Sequence, residues 1–296
     1  MTLAELLSAQ PAVFAGTIAL LGLVIGSFLN VVIHRLPIML ERTWQTQARE
    51  VLAGDDGTAA LTAESADTYN LVTPRSACPS CGAQIKAWQN IPVLSYLFLR
   101  GRCAECGTSI GLRYPIVEAV TALLSALVAW HFGYSLETAG ALLLTWSLVA
   151  LTVIDLDHQL LPDSITLPLL WLGLLFALQG AAFTDLRSAV IGAMAGYLSL
   201  WSIYHLFKLV TGKEGMGYGD FKLLGALGAW LGWQLLPVVI ILSALVGAVT
   251  GIAMIVFGGR DSQRPMPFGP FLAAAGFAAL LWGQALTTAY RQIAGF

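Results

Sequence analysis

The chain has 296 residues, of which 57% are hydrophobic and 11% charged, with a formal net charge of −2 and a mean hydropathy of +0.75. An ordinary soluble domain carries about 25% charged residues, so that class is excluded. A nucleic-acid partner would need a basic footprint that this charge balance lacks, and none is expected.

Apolar runs near the roughly 20-residue length that crosses a bilayer occur at 12–33, 115–132, 136–154, 164–181, 188–207, 221–236, 238–257 and 268–289. The sixth is short and rich in glycine, so the total of about eight is approximate. No basic segment precedes the first run and no small-residue cleavage pattern follows it, which reads as a retained membrane helix and not a signal peptide. Between the first two runs lies the only sizeable polar stretch. The expected architecture is an all-α polytopic membrane protein of about eight transmembrane helices, with a small polar domain inserted after the first. It divides into a first helix (1–33), a cytoplasmic domain (34–113) and a membrane core (114–296). Inside the polar domain, residues 53–70 are small, acidic and aperiodic, and read as a mobile loop. No long internal repeat is visible.

Lysine and arginine set the orientation. With the amino terminus outside, thirteen of the fifteen fall on inside segments, and only Arg187 and Arg291 remain outside. This arrangement places the polar domain, Asp155 and Asp220 all on the cytoplasmic side. The patterns Gly192–Gly196 and Gly247–Gly251 have the GxxxG spacing that lets membrane helices approach closely, and are read as packing.

All four cysteines lie in the polar domain, as Cys78-Pro79-Ser80-Cys81 and Cys103-Ala104-Glu105-Cys106, and each pair is followed by a glycine, Gly82 or Gly107. Two CxxC pairs suit tetrahedral zinc, and four protein ligands make a closed, structural site. A redox CxxC would need one pair in a thioredoxin-like setting that is absent, and cytoplasmic placement disfavours stable disulfides. The expected role is a staple for a module too small to build much core.

Asp155 ends the apolar run 148–154, and Asp220 closes the turn Gly217-Tyr218-Gly219-Asp220. A carboxylate at membrane depth is costly and marks a functional site by default. Two on one face suggest a dyad in which one carboxyl holds a proton, because like charges sharing a site cannot both ionise easily. The ionised member would take a proton from water while the other polarises a scissile carbonyl; which is which stays open at this stage. Gly217 and Gly219 permit close approach of a second chain, so a short peptide could lie there as an added strand. Asp157 reads as a solvated turn acid, Asp163 with Ser164 as a helix cap, His158 as a surface residue, and Lys222 as a snorkelling lysine. There is no HExxH and no GxSxG, and the histidines do not cluster.

These residues resemble the type IV prepilin peptidases. The first-run segment from Gly26 to Pro37, the two cysteine pairs, Asn90–Tyr96, Arg113–Glu118, the Asp155 stretch, Lys213–Lys222 and Pro267-Phe268-Gly269-Pro270 carry the resemblance. It implies a bacterial inner-membrane enzyme with catalytic Asp155 and Asp220 and zinc on Cys78, Cys81, Cys103 and Cys106. The implied activity cuts leaders of prepilins and type II secretion pseudopilins after glycine. The new terminal residue is then N-methylated with S-adenosylmethionine. No glycine-rich strand–turn–helix locates that methyl donor. Asn30, Arg35, Arg113 and Glu118 are polar groups at helix ends that could bind cofactor or substrate or satisfy one another as ion pairs. Trp88–Leu99 reads as an interfacial segment. Two other classes fit part of the pattern: a presenilin-like intramembrane protease, which does not call for four cysteines, and a proton-relay transporter, which would place acids deeper and commonly show repeats.

Overall fold

The computed structural model describes residues 2–53, 69–180, 183–258 and 266–294. The expected loop at 53–70 lies almost wholly outside these. Ten α-helices are present among the described residues: α1 (Leu3–Ala9), α2 (Pro11–Ala53), α3 (Leu94–Phe98), α4 (Arg113–Phe132), α5 (Leu136–His158), α6 (Asp163–Leu178), α7 (Leu186–Thr211), α8 (Tyr218–Leu231), α9 (Leu236–Gly258) and α10 (Gly269–Ala294). Six of them (α2, α4, α5, α7, α9 and α10) are long and apolar enough to cross a membrane. The remaining two apolar runs form the shorter α6, of 16 residues, and α8, of 14. The protein is thus a multi-pass, all-helical membrane protein.

The described chain forms two compact units. The larger, Met1–Ile18 with Leu124–Phe296, is built around α8. Nearly every residue of α8 from Asp220 to Leu231 is buried, and it packs on α6, α7 and α10. Small residues make this possible. Backbone of Gly228 and Gly192 meet so closely that a Cβ on either would overlap the other's carbonyl, and a Cβ on Gly196 would lie 2.5 Å from Leu224 O. The first GxxxG pattern is therefore the α7–α8 crossing. On the other side, Gly173 leaves room for the fully buried Trp230, whose indole N–H donates to Leu169 O at 2.8 Å. That bond gives the tryptophan its polar partner inside an apolar core.

Local sequence fixes the helix ends. The Ser135 hydroxyl accepts the Thr138 N–H at the start of α5, and the Asp185 carboxylate accepts the Ser188 N–H at the start of α7, both ordinary N-caps. α5 ends on Gln159 in the left-handed region, and α7 on Gly212 at φ +69°. α8 begins after Gly217 and stops at Gly232, φ +81°. α10 is kinked at Trp282.

The smaller unit, Ala19–Leu123, holds most of α2, the cysteine-bearing segment and the start of α4. The first helix does not stop at residue 33. α2 runs on to Ala53 through Pro37, because the residues after 33 remain good helix formers and a single proline removes only one backbone bond.

Candidate active site

Asp155 lies in the last turn of α5 and Asp220 in the first turn of α8. Both are buried, with 5% and 6% of their surface exposed. Leu161 ties them into one neighbourhood. A Cβ on Gly219, next to Asp220, would meet Leu161 Cβ at 2.7 Å; a Cβ on Gly269 would meet Leu161 Cδ2 at 3.1 Å and Asp155 Oδ2 at 2.6 Å. The two carboxylates differ in partners. Asp155 Oδ2 accepts the Gly269 N–H at 3.0 Å, at the amino end of α10, where orphan N–H groups favour a negative charge. Asp220 Oδ1 is buried with no hydrogen-bond partner among the described residues.

The two glycines nearest before Asp220 are not required by backbone angle, and only Gly219 is required by space. Neither Gly217 nor Gly219 has a positive φ. Gly219 is needed because a side chain would strike Leu161, whereas a Cβ on Gly217 would meet only Asp220 Oδ2, at 3.7 Å. The rings of Tyr204, Tyr218 and Phe221 pack mutually at centroid distances of 5.4–5.5 Å, pinning the start of α8 to α7. The loop before it is tied by Glu214 to Lys208 Nζ at 2.7 Å, and that ammonium holds the Glu214 carboxyl below its usual range.

Two expectations for neighbouring residues are corrected. Asp163 does not cap α6: Pro162 precedes the helix without a side-chain cap, and both Asp163 oxygens bind Lys222 Nζ at 2.7 Å. Lys222 is consequently an α6–α8 link and not simply a snorkelling side chain. His158 and Asp157 are exposed, as expected. The Gly269 contact was not found from sequence; its signal is the Gly-Pro pair opening a helix, since proline in a first turn sacrifices no helical bond.

In the polar segment the four cysteine sulfurs lie within 4.8 Å of one another. Two matching knuckles bring them there. Cys78 N–H donates to Ala83 O and Gly82 N–H to Cys78 O; Cys103 N–H donates to Thr108 O and Gly107 N–H to Cys103 O. Gly82 and Gly107 both turn with positive φ, +73° and +71°. The Cys78–Cys106 sulfur separation of 3.8 Å matches the tetrahedron edge of about 3.8 Å that follows from metal–sulfur bonds of about 2.3 Å. The cluster is electrostatically divided: the Thr108 hydroxyl and N–H draw the Cys106 thiol down to about 6. Despite a lowering bond from Ala83, the adjoining Cys106 sulfur pushes Cys81 up to about 12. Four crowded sulfurs cannot all be thiolates without a cation among them, so this group can hold a metal ion.

In the third polar group, three side chains reach backbone groups. Asn30 Nδ2 donates to Tyr114 O at 3.1 Å, and the buried Arg35 donates to Asn70 O and Pro74 O at 2.8 and 2.6 Å. The buried Glu118 accepts the N–H of Val93 at 2.8 Å. Each satisfies backbone groups that the smaller unit would otherwise leave unpaired.

Comparison with known proteins agrees with this layout. Residues 20–132 match the family described as Bacterial Peptidase A24 N-terminal domain, and residues 142–252 match the Type IV leader peptidase family. Proteins named prepilin leader peptidase/N-methyltransferase are similar along their whole length. The one from Pseudomonas aeruginosa is 56% identical with 100% of both chains covered, that from Stutzerimonas stutzeri 57% with 99% of both, and that from Aeromonas hydrophila 58% with 97% of both. No solved structure matches. With both family segments present and a full-length relative above half identity, the chain belongs to the type IV leader peptidase family.

Proposed function

We propose that this protein is a membrane aspartyl endopeptidase that removes the leaders of type IV prepilins and type II secretion pseudopilins after glycine, and then N-methylates the new terminus. One observation carries the reading: two buried carboxylates, Asp155 and Asp220, converge around Leu161 from separate helices, with one accepting a helix-end N–H and the other leaving its Oδ1 without a partner among the described residues. Asp155, charge-stabilised by Gly269, takes a proton from water as the water oxygen bonds to the scissile carbonyl carbon. Asp220 supplies the proton that polarises the carbonyl oxygen. When the tetrahedral intermediate collapses, the carbon–nitrogen bond breaks, the amine leaves with the proton that Asp155 had taken, and a hydroxyl of the gem-diol returns a proton to Asp220.

Gly217 supports the approach of an extended leader as an added strand, since the space beside it is open except for Asp220 Oδ2 at 3.7 Å. Gly219 belongs to the same edge, although Leu161 already fills its space. Cys78, Cys81, Cys103 and Cys106 hold a structural zinc, supported by their spacing, donor set and geometry. S-adenosylmethionine supplies the methyl group, a role that rests on the relatives' names. The bacterial relatives support an inner-membrane location, and the lysine and arginine distribution supports aspartates that face the cytoplasm.

The test is cleavage in detergent of a peptide spanning a glycine–phenylalanine leader junction, followed by mass spectrometry. Wild type cleaves, and Asp155→Asn and Asp220→Asn do not while both stay folded; substantial turnover by either variant removes the dyad. Added S-adenosylmethionine should append a methyl mass to the product.

A further inference from the structure

The geometry points to a second membrane contact that no spanning helix provides: the segment from Trp88 to Phe98 rests on the anionic lipid surface next to α4. Within the smaller unit this segment turns its large apolar side chains outward. Trp88, Ile91, Leu94, Leu97 and Phe98 are 46–81% exposed, and α3 buries none of its residues. Leu94, Leu97 and Phe98 share one face of α3 by helical period, and Trp88 and Ile91 are exposed in the turn just before it. Contiguous exposed apolar side chains of this size mark a surface that is covered in use.

The opposite face is fixed. The Tyr96 hydroxyl reaches Ile110 O at 3.4 Å and its ring closes on Gly101, where a Cβ would lie 2.7 Å from the oxygen. This seats α3 on the second cysteine knuckle. At the other end the Val93 N–H is held by Glu118. Val93 adopts φ +57° there, a conformation that a β-branched residue avoids unless its surroundings impose it. Glu118 is the sixth residue of α4, about 8 Å along a span that rises 1.5 Å per residue. The apolar face is therefore clamped at the depth where a spanning helix passes through the headgroup layer.

The charges name the occupant. Between residues 69 and 116 the chain carries Arg75, Lys86, Arg100, Arg102 and Arg113 against a single acid, Glu105. Lys86, Arg100 and Arg102 are exposed and flank the apolar face in sequence. Aromatic and aliphatic side chains rimmed by basic groups match an interface of acyl chains below anionic headgroups. A water-facing role leaves the apolar residues unexplained, and a protein partner alone leaves the clamp to the membrane helix unexplained.

The test replaces Phe98 with a benzophenone amino acid in the full-length chain, reconstituted in nanodiscs of phosphatidylcholine with and without phosphatidylglycerol. The same probe at the exposed Ala104 serves as control. Each protein is first checked for a wild-type melting temperature. On irradiation, the probe at 98 should give phospholipid adducts several-fold above the control, enriched in phosphatidylglycerol beyond its share of the disc. Arg100→Gln with Arg102→Gln should abolish the enrichment while the adducts persist. Yields no higher than at Ala104, adducts to a second copy of the chain, or capture of an added prepilin leader peptide in place of lipid would each overturn the assignment.

Discussion

Gly269→Ala puts a methyl carbon 2.6 Å from Asp155 Oδ2 and 3.1 Å from Leu161 Cδ2. A carbon–oxygen contact settles at about 3.3 Å or more, so the carboxylate must retreat by roughly 0.7 Å. The Gly269 N–H bond, 3.0 Å in the native protein, is then stretched beyond useful range. A hydrogen bond to a charged group is worth about 1.5–3 kcal/mol, which converts to a loss of roughly ten- to 150-fold in kcat/KM. Misplacement of the reacting group adds to that loss. The assay is leader-peptide cleavage in detergent, with Gly16→Ala as control because a Cβ there meets nothing within 4 Å. If Gly269→Ala keeps its melting temperature and stays within about twofold of wild-type kcat/KM, Gly269 does not support the ionised aspartate and the division of labour in the dyad fails.

Gly228→Ala should cost several times more stability than Gly251→Ala, since the first meets the Gly192 backbone and the second only the Met266 methyl at 3.2 Å; melting temperatures in one detergent decide it. Asp163→Asn removes an ion pair whose partners are about half and a quarter exposed, so stability should fall by no more than about 1 kcal/mol, read by denaturation. Cys78→Ser should abolish bound zinc, measured by elemental analysis; a content still at one per chain would refute the ligand set. Glu214 has a folded pKa held low by Lys208, so its tether contributes at neutral pH and is lost as pH falls through that lowered value. Hydrogen exchange of residues 212–217 should accelerate on acidification in wild type, and already be fast at neutral pH in Glu214→Gln.

Hydrophobic run length was enough to place α4, α5, α7, α9 and α10, because a bilayer imposes length and composition together. It could not place the end of α2, since helix propensity continues past the apolar run that ends at 33. The cysteine cluster was legible because its chemistry is set by local spacing, with both knuckles closed by nearby glycines. The aspartates stood out through cost: an acid beside an apolar run demands a reason. Their partners did not, because Gly269 is 114 positions from Asp155 and a backbone N–H has no side-chain signature. The same limit explains Asn30, Arg35 and Glu118. Residue type announces a polar group that must be satisfied, while only the fold supplies the carbonyl or N–H that does it.

The brevity of α8 has a consequence for where an acid can be carried in a membrane protein. Fourteen residues at 1.5 Å each make a rod of about 21 Å, some 9 Å short of the roughly 30 Å hydrocarbon layer. Exposed to lipid, the missing length would leave uncapped backbone in oil, which is prohibitive; encased by α6, α7 and α10, it is tolerated. The helix that carries Asp220 at its first turn can thus end inside the membrane's thickness while its neighbours continue past it. Asp220 is thereby buried among helices and not set against lipid, so a charged group can sit within the thickness of the membrane because its helix is short and encased.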